Sequence, residues 1–105
     1  MIRMILYGCN GAMGQVISQL ISQYTDIQIV AGVDLNGEEL WGYPVYPSLE
    51  ECREEGDVII DFTSSKGVDP LIAYCESRKV PFVCCSTGLS DEQVQRLETC
   101  AKKTA

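Results

Sequence analysis

Ile2-Arg3-Met4-Ile5-Leu6-Tyr7-Gly8-Cys9-Asn10-Gly11-Ala12-Met13-Gly14 follows the initial methionine, and the order of residue types along it decides the fold. An apolar run comes first, then three glycines spaced three apart. Beyond them, Met13, Val16, Ile17, Leu20, Ile21 and Tyr24 recur at helical spacing. This order predicts a strand over 2–7, a glycine turn and a helix over 12–24. The first amides of a helix have no intrahelical acceptor, and the helix dipole is positive at that end. A glycine turn feeding such a terminus reads as a cradle for a pyrophosphate, built from the backbone of Gly8, Cys9, Asn10, Gly11, Ala12 and Met13. A turn that binds nothing would also use Gly8 for its backbone angles and Gly14 for close packing. Gly11 favours the ligand, because a missing side chain at the helix start lets phosphate oxygens reach the amides.

A second apolar run, with a strand expected over 28–33, ends at Asp34, twenty residues beyond Gly14. An acid at that strand tip is placed to accept hydrogen bonds from the adenosine ribose of a dinucleotide. The next residues, Leu35, Asn36, Gly37, Glu38 and Glu39, include no cation to meet a 2′-phosphate. The expected cofactor is therefore NADH or NADPH, with NADH preferred. A simple turn acid ahead of Asn36-Gly37 is the alternative for Asp34.

Strands and helices alternate through the rest of the chain. An extended piece over 44–46 is flanked by prolines and suits a sheet edge. Ser48-Leu49-Glu50-Glu51 has the pattern of a capping box opening a short helix. A strand is expected over 57–62, then a helix after Ser64-Ser65 with Val68, Leu71, Ile72 and Cys75 inward and Pro70 in its first turn. A buried strand over 80–85 follows. Ser90-Asp91-Glu92-Gln93 is a second capping box, opening a helix with Val94, Leu97, Cys100 and Ala101 on its buried side. This alternation predicts an α/β fold, a Rossmann-like doubly wound parallel sheet that stops before its last strand. In the strand order 3-2-1-4-5-6, Gly8, Phe62-Thr63 and Ser86-Thr87 meet at the carboxyl ends of the central strands.

Composition narrows the partners. The 105 residues, read as one domain over 1–105, carry a net charge of −7 and no histidine. Nucleic acid and anionic membranes are poor partners for that charge. No apolar run reaches the roughly twenty residues of a membrane span. With a strand beginning at Ile2, no signal peptide is expected, and the location is read as cytoplasmic. The six cysteines, Cys9, Cys52, Cys75, Cys84, Cys85 and Cys100, contain no C-x-x-C pair. Buried free thiols in a reducing compartment are expected, with no metal site. Cys9, beside a helix N-terminus, could be reactive.

Three spaced motifs carry a family resemblance: Gly8-x-x-Gly11-x-Met13-Gly14, Ile60-Asp61-Phe62-Thr63 followed by Gly67, and Ser86-Thr87-Gly88. Together they resemble the N-terminal nucleotide-binding domain of dihydrodipicolinate reductase, also called 4-hydroxy-tetrahydrodipicolinate reductase, of lysine and diaminopimelate biosynthesis. The resemblance implies hydride transfer from NADH or NADPH to a cyclic imine or enamine dicarboxylate. It implies pyrophosphate contacts from Gly8 to Met13 and ribose contacts from Asp34. Phe62 and Thr63 would border the nicotinamide, and Cys85, Ser86 and Thr87 would carry carboxamide contacts, with Thr87 near substrate. Two positions depart from the family pattern: Cys85 stands where glycine is common, and Ser64 where arginine is common. The family's acid–base residues lie in a second domain, so no catalytic residue is assigned here, and cofactor binding without turnover is expected. An open edge at strand 80–85 predicts self-association, and the family implies a homo-oligomer. The alternatives are the cofactor domain of a homoserine or semialdehyde dehydrogenase, or a non-catalytic NAD-sensing module.

Overall fold

The computed structural model describes residues 1–86 and 88–104. Five strands form one parallel sheet: β1 (Ile2–Tyr7), β2 (Ile27–Val33), β3 (Val45–Tyr46), β4 (Val58–Asp61) and β5 (Phe82–Cys84), in the order β3-β2-β1-β4-β5. Three helices connect or flank them: α1 (Ala12–Ile21), α2 (Val68–Arg78) and α3 (Asp91–Thr104). The doubly wound order expected from the alternation of elements is present.

Each face of the sheet has its own core. Ile5, Ala31, Val33 and Ile59 pack beneath Val68, Leu71, Ile72 and Cys75 of α2, with Leu97 and Cys100 of α3 behind. On the other face Met4, Leu6, Cys9, Ile29 and Tyr43 form a smaller cluster, flanked by Ile17 and Ile21 of α1. Central β1 contributes to both faces, which is why its sequence is apolar without alternation.

Several local expectations are corrected. Helix α1 ends at Ile21 rather than Tyr24, because the Gln23 and Tyr24 amides turn back to the Leu20 and Ile21 carbonyls three residues away. Its buried residues are Gly14 and Ser18, whereas Met13, Val16, Leu20 and Tyr24 are exposed. Gly14 seats against the Gly8 and Cys9 carbonyls and Ser18 against Tyr43, so the buried line of α1 runs along small residues, with Ile17 and Ile21 beside it. Ser48 makes no side-chain cap. Residues Leu49–Glu51 form a single 3-10 turn closed by backbone bonds, and Cys52 is already extended. The second capping box does form, with Ser90 Oγ accepting from the Gln93 amide at 3.1 Å and Gln93 Oε1 from the Ser90 amide at 3.0 Å. Val94 and Ala101 are exposed, since α3 rests on α2 and buries only Leu97 and Cys100. β5 is shorter than expected and, among the described residues, has a neighbour on one side only. Val83, on the face opposite α2, is 49% exposed.

Candidate functional site

One row of paired residues crosses all five strands near their carboxyl ends: Tyr46, Val33, Tyr7, Asp61 and Cys84. Every candidate residue leaves the sheet just beyond that row. Gly8 follows Tyr7, Asp34 follows Val33, Phe62 and Thr63 follow Asp61, and Cys85 and Ser86 follow Cys84. Parallel pairing in register thus gathers four loops from distant parts of the sequence at one end of the sheet. Thr87 lies outside the described residues.

The three glycines of the first turn differ in what they do. Gly8 has φ +85°, a conformation that strains any L side chain, and its amide donates to Val33 O at 2.7 Å. A Cβ on Gly14 would overlap the carbonyls of Gly8 and Cys9, so this glycine lets the helix seat against the turn. Gly11 has φ −72°, and a Cβ there would meet nothing closer than Gly8 O at 3.5 Å. Neither backbone angle nor packing within the chain excludes a side chain at Gly11. Beside it, the amides of Ala12, Met13 and Gly14 donate to no backbone carbonyl among the described residues, and Gly11 offers no side-chain cap. The first turn of α1 therefore presents bare N–H donors under an open surface, a geometry suited to anionic oxygens.

The structure revises the role of the Asn10 amide and the expected reactivity of the Cys9 thiol. The Asn10 amide donates to Asp34 Oδ2 at 2.9 Å, and the Asn10 Nδ2 group donates to the carbonyls of Asn36 at 2.6 Å and Glu38 at 2.8 Å. Its Oδ1 is buried without a donor. Asn10 is thus a tether between the glycine turn and the loop after β2, and its backbone N–H is not free for phosphate. Cys9 is fully buried, with its sulfur against Gly32, and it packs in one cluster with Tyr43. Burial pushes its thiol up to about 11. It is a core residue and is not activated by the helix terminus, because the side chain points away from the bare amides.

Asp34 accepts from the Asn10 amide through Oδ2 and from the Asn36 amide through Oδ1 at 3.0 Å. Each carboxylate oxygen keeps a second lone pair for a sugar hydroxyl. Across the sheet, the Phe62 amide donates to Tyr7 O at 2.9 Å, which holds the start of the 62–63 loop against Gly8. Ser86 Oγ contacts Thr63 O at 3.0 Å and lies 3.4 Å from Thr63 Oγ1. Cys85 is exposed and Cys84 only half-buried, which corrects the expectation of a buried thiol pair. The Cys85 amide donates to Asp61 O at 2.9 Å, continuing the β4 pairing one residue beyond the strand.

Asp61 was given no role from the sequence, yet its carboxylate is fully buried beneath this site. It receives Thr63 N–H at 2.8 Å and Thr63 Oγ1 at 2.6 Å on Oδ1. The signal for it was an acid ending an apolar strand two residues before a threonine, the pattern of an Asx turn. Tyr43, hydrogen-bonded to Ser18 at 2.8 Å, was also unforeseen. Among the described residues no cluster of His, Cys, Asp and Glu could hold a metal, and no helix is long and apolar enough to cross a membrane.

A family profile described as "Dihydrodipicolinate reductase, N-terminus" matches residues 2–105. The 4-hydroxy-tetrahydrodipicolinate reductase of Caldanaerobacter subterraneus subsp. tengcongensis is 42% identical over 103 residues, 98% of this chain and 41% of that protein. The enzyme of the same name from Clostridium tetani is 38% identical over 102 residues, 97% of this chain and 40% of that protein. The chain thus spans about two fifths of the length of the curated relatives it matches. Among solved structures, a dipicolinate-bound dihydrodipicolinate reductase from Paenisporosarcina sp. TG-14 superposes with a TM-score of 0.79 at 28% identity, covering 98% of this chain and 43% of that one. With the glycine turn, the acid after β2 and the paired loops after β4 and β5 all in place, the chain belongs to the dihydrodipicolinate reductase N-terminal family.

Proposed function

We propose that this chain binds a nicotinamide dinucleotide, NADH in preference to NADPH, as the cofactor-binding part of a reductase. The full enzyme would deliver hydride to a cyclic dihydrodipicolinate-type substrate in lysine and diaminopimelate biosynthesis. The observation that carries nucleotide binding is Gly11: the fold has room for a side chain there, and a ligand at the bare amides of α1 gives a reason for its absence beyond the mild preference for glycine at an N-cap. The substrate class is supported by the names of the relatives and by the dipicolinate bound to the Paenisporosarcina enzyme.

In this reading Ala12, Met13 and Gly14 donate to the pyrophosphate, aided by the helix dipole. Gly8 and Gly11 keep the approach clear. Asp34 accepts from the ribose, and a 2′-phosphate would be repelled by it with Glu38 and Glu39 nearby in sequence. Phe62, Thr63, Cys85 and Ser86 border the nicotinamide, and the family resemblance assigns Thr87 to the cofactor and substrate contacts. The bound nicotinamide supplies the hydride, and this domain holds the ring in position. We assign substrate binding and proton transfer to the part of the relatives' length that residues 1–105 do not span, so this chain alone binds nucleotide without turnover. Six unpaired cysteines suit a reducing, cytoplasmic setting. β5 has a neighbour on one side only among the described residues, which supports pairing between copies.

Calorimetry with NADH and NADPH tests the reading. Saturable one-to-one binding, tighter for NADH, is expected. Absence of heat from either on folded protein overturns nucleotide binding, and tenfold tighter NADPH overturns the role of Asp34 in preference.

A further inference from the structure

We propose that Asp61 is a positioning residue that locks the loops after β4 and β5 together and so shapes the nicotinamide half of the site; this rests on the nucleotide-binding reading above. Asp61 is 0% exposed and has no cationic partner, since the ion pairs among the described residues are Arg3–Asp57 and Arg96–Asp69. A carboxylate buried without a cation is tolerated only when hydrogen-bond donors surround it. Four donors converge on it. Thr63 supplies its amide and hydroxyl to Oδ1, and Oδ2 receives Ser86 Oγ at 2.9 Å and the Cys84 thiol at 3.2 Å.

Thr63 lies in the loop after β4, whereas Cys84 ends β5 and Ser86 lies in the loop beyond it, 23 and 25 residues from Asp61. Ser86 Oγ also lies 3.0 Å from the Thr63 carbonyl, so its one proton has both acceptors within reach and either choice ties the loop after β5 to the end of β4. The neighbouring packing conforms to that lock. A side chain on Gly67 would overlap the Thr63 side chain, and its Cβ would sit 3.1 Å from Tyr7 Oη, so Gly67 leaves room for Thr63 to face Asp61. The hydrogen bonds of this lock include no atom of the glycine turn or of Asp34, although the backbone of Phe62 and Thr63 packs against Gly8. The lock therefore acts on the nicotinamide side and leaves the adenosine side alone.

The test compares NADH with ADP-ribose, which lacks the nicotinamide, by calorimetry on wild type, Asp61→Asn and Asp61→Ala. Asparagine keeps the shape and one acceptor but removes the charge. Alanine removes the lock. Expected is a graded loss of NADH affinity, severalfold for Asn and about tenfold or more for Ala, with ADP-ribose held within about twofold in both. If the alanine variant does not fold, the asparagine variant alone decides. Equal losses for NADH and ADP-ribose would mark Asp61 as merely structural, and unchanged NADH affinity in Asp61→Asn would also overturn the proposal. Failure of both ligands to bind wild type would overturn the nucleotide reading itself.

Discussion

The Asn10 amide and the Asp34 carboxylate meet at 2.9 Å, joining the glycine turn to the tip of β2 across 24 positions. In the proposed nucleotide complex, this contact would orient the acid before the sugar arrives. Replacing Asp34 with alanine leaves the Asn10 and Asn36 amides without their acceptor and removes the ribose acceptor at the same time. Asp34→Ala is expected to lose about 1 kcal/mol of stability and about tenfold in NADH affinity, with a smaller loss for NADPH. Denaturant melts and paired nucleotide titrations check both.

Gly11 and Gly14 give opposite signatures when changed to alanine. Gly14→Ala forces a methyl group against the Gly8 and Cys9 carbonyls and is expected to cost about 1–3 kcal/mol of stability. Gly11→Ala meets no such obstacle and is expected to cost under about 1 kcal/mol. It nevertheless places a methyl group over the bare amides, so nucleotide affinity falls tenfold or more. Unchanged NADH binding in a folded Gly11→Ala protein would remove the main support for the phosphate site.

The cysteines separate by burial. Cys85 is exposed and is expected to react first with a thiol reagent near neutral pH. Burial pushes the thiol of Cys9 up to about 11 and that of Cys75 up to about 12, so both stay protonated and unreactive until the chain opens. Their pKa values are raised in the folded state, so the unfolded chain ionises first. The associated stability is present below the unfolded thiol value of about 8.5 and is lost as pH climbs from there through the folded values. Denaturation midpoints at successive pH values should fall over that alkaline range, and labelling kinetics with mass spectrometry should rank Cys85 first.

β5 has one neighbour among the described residues and an exposed Val83, so its outer edge offers unpaired backbone groups. Concentration-dependent association is expected in sedimentation experiments. Val83→Lys places a charge on that edge strand and is expected to shift the population to monomer. A wild-type chain that stays monomeric at high concentration would show that the edge does not pair.

The alternation of apolar runs with helical stretches made the parallel sheet and its order legible, because right-handed crossovers leave few arrangements open. Ser90 and Gln93 were legible as a cap because both partners lie within one helical turn. Ser48 carries the same local pattern but is followed by an extended Cys52, which stops the turn before a helix forms. The burial of α1 was misread for a related reason. Periodicity shows that a face exists, while the depth at which Gly14 and Ser18 seat it depends on the turn carbonyls and Tyr43 packed beneath them.

What the chain's order alone determined was the glycine turn, the acid after the second strand and the sheet that brings them together, since each rests on local spacing and on residue type. Tertiary structure decided the rest: that the Asn10 amide serves Asp34, that Cys9 points into the core, and that Asp61 gathers donors from two loops. Those outcomes depend on which atoms face each other once strands pair in register, and contacts between residues more than twenty positions apart leave no periodic trace in a sequence.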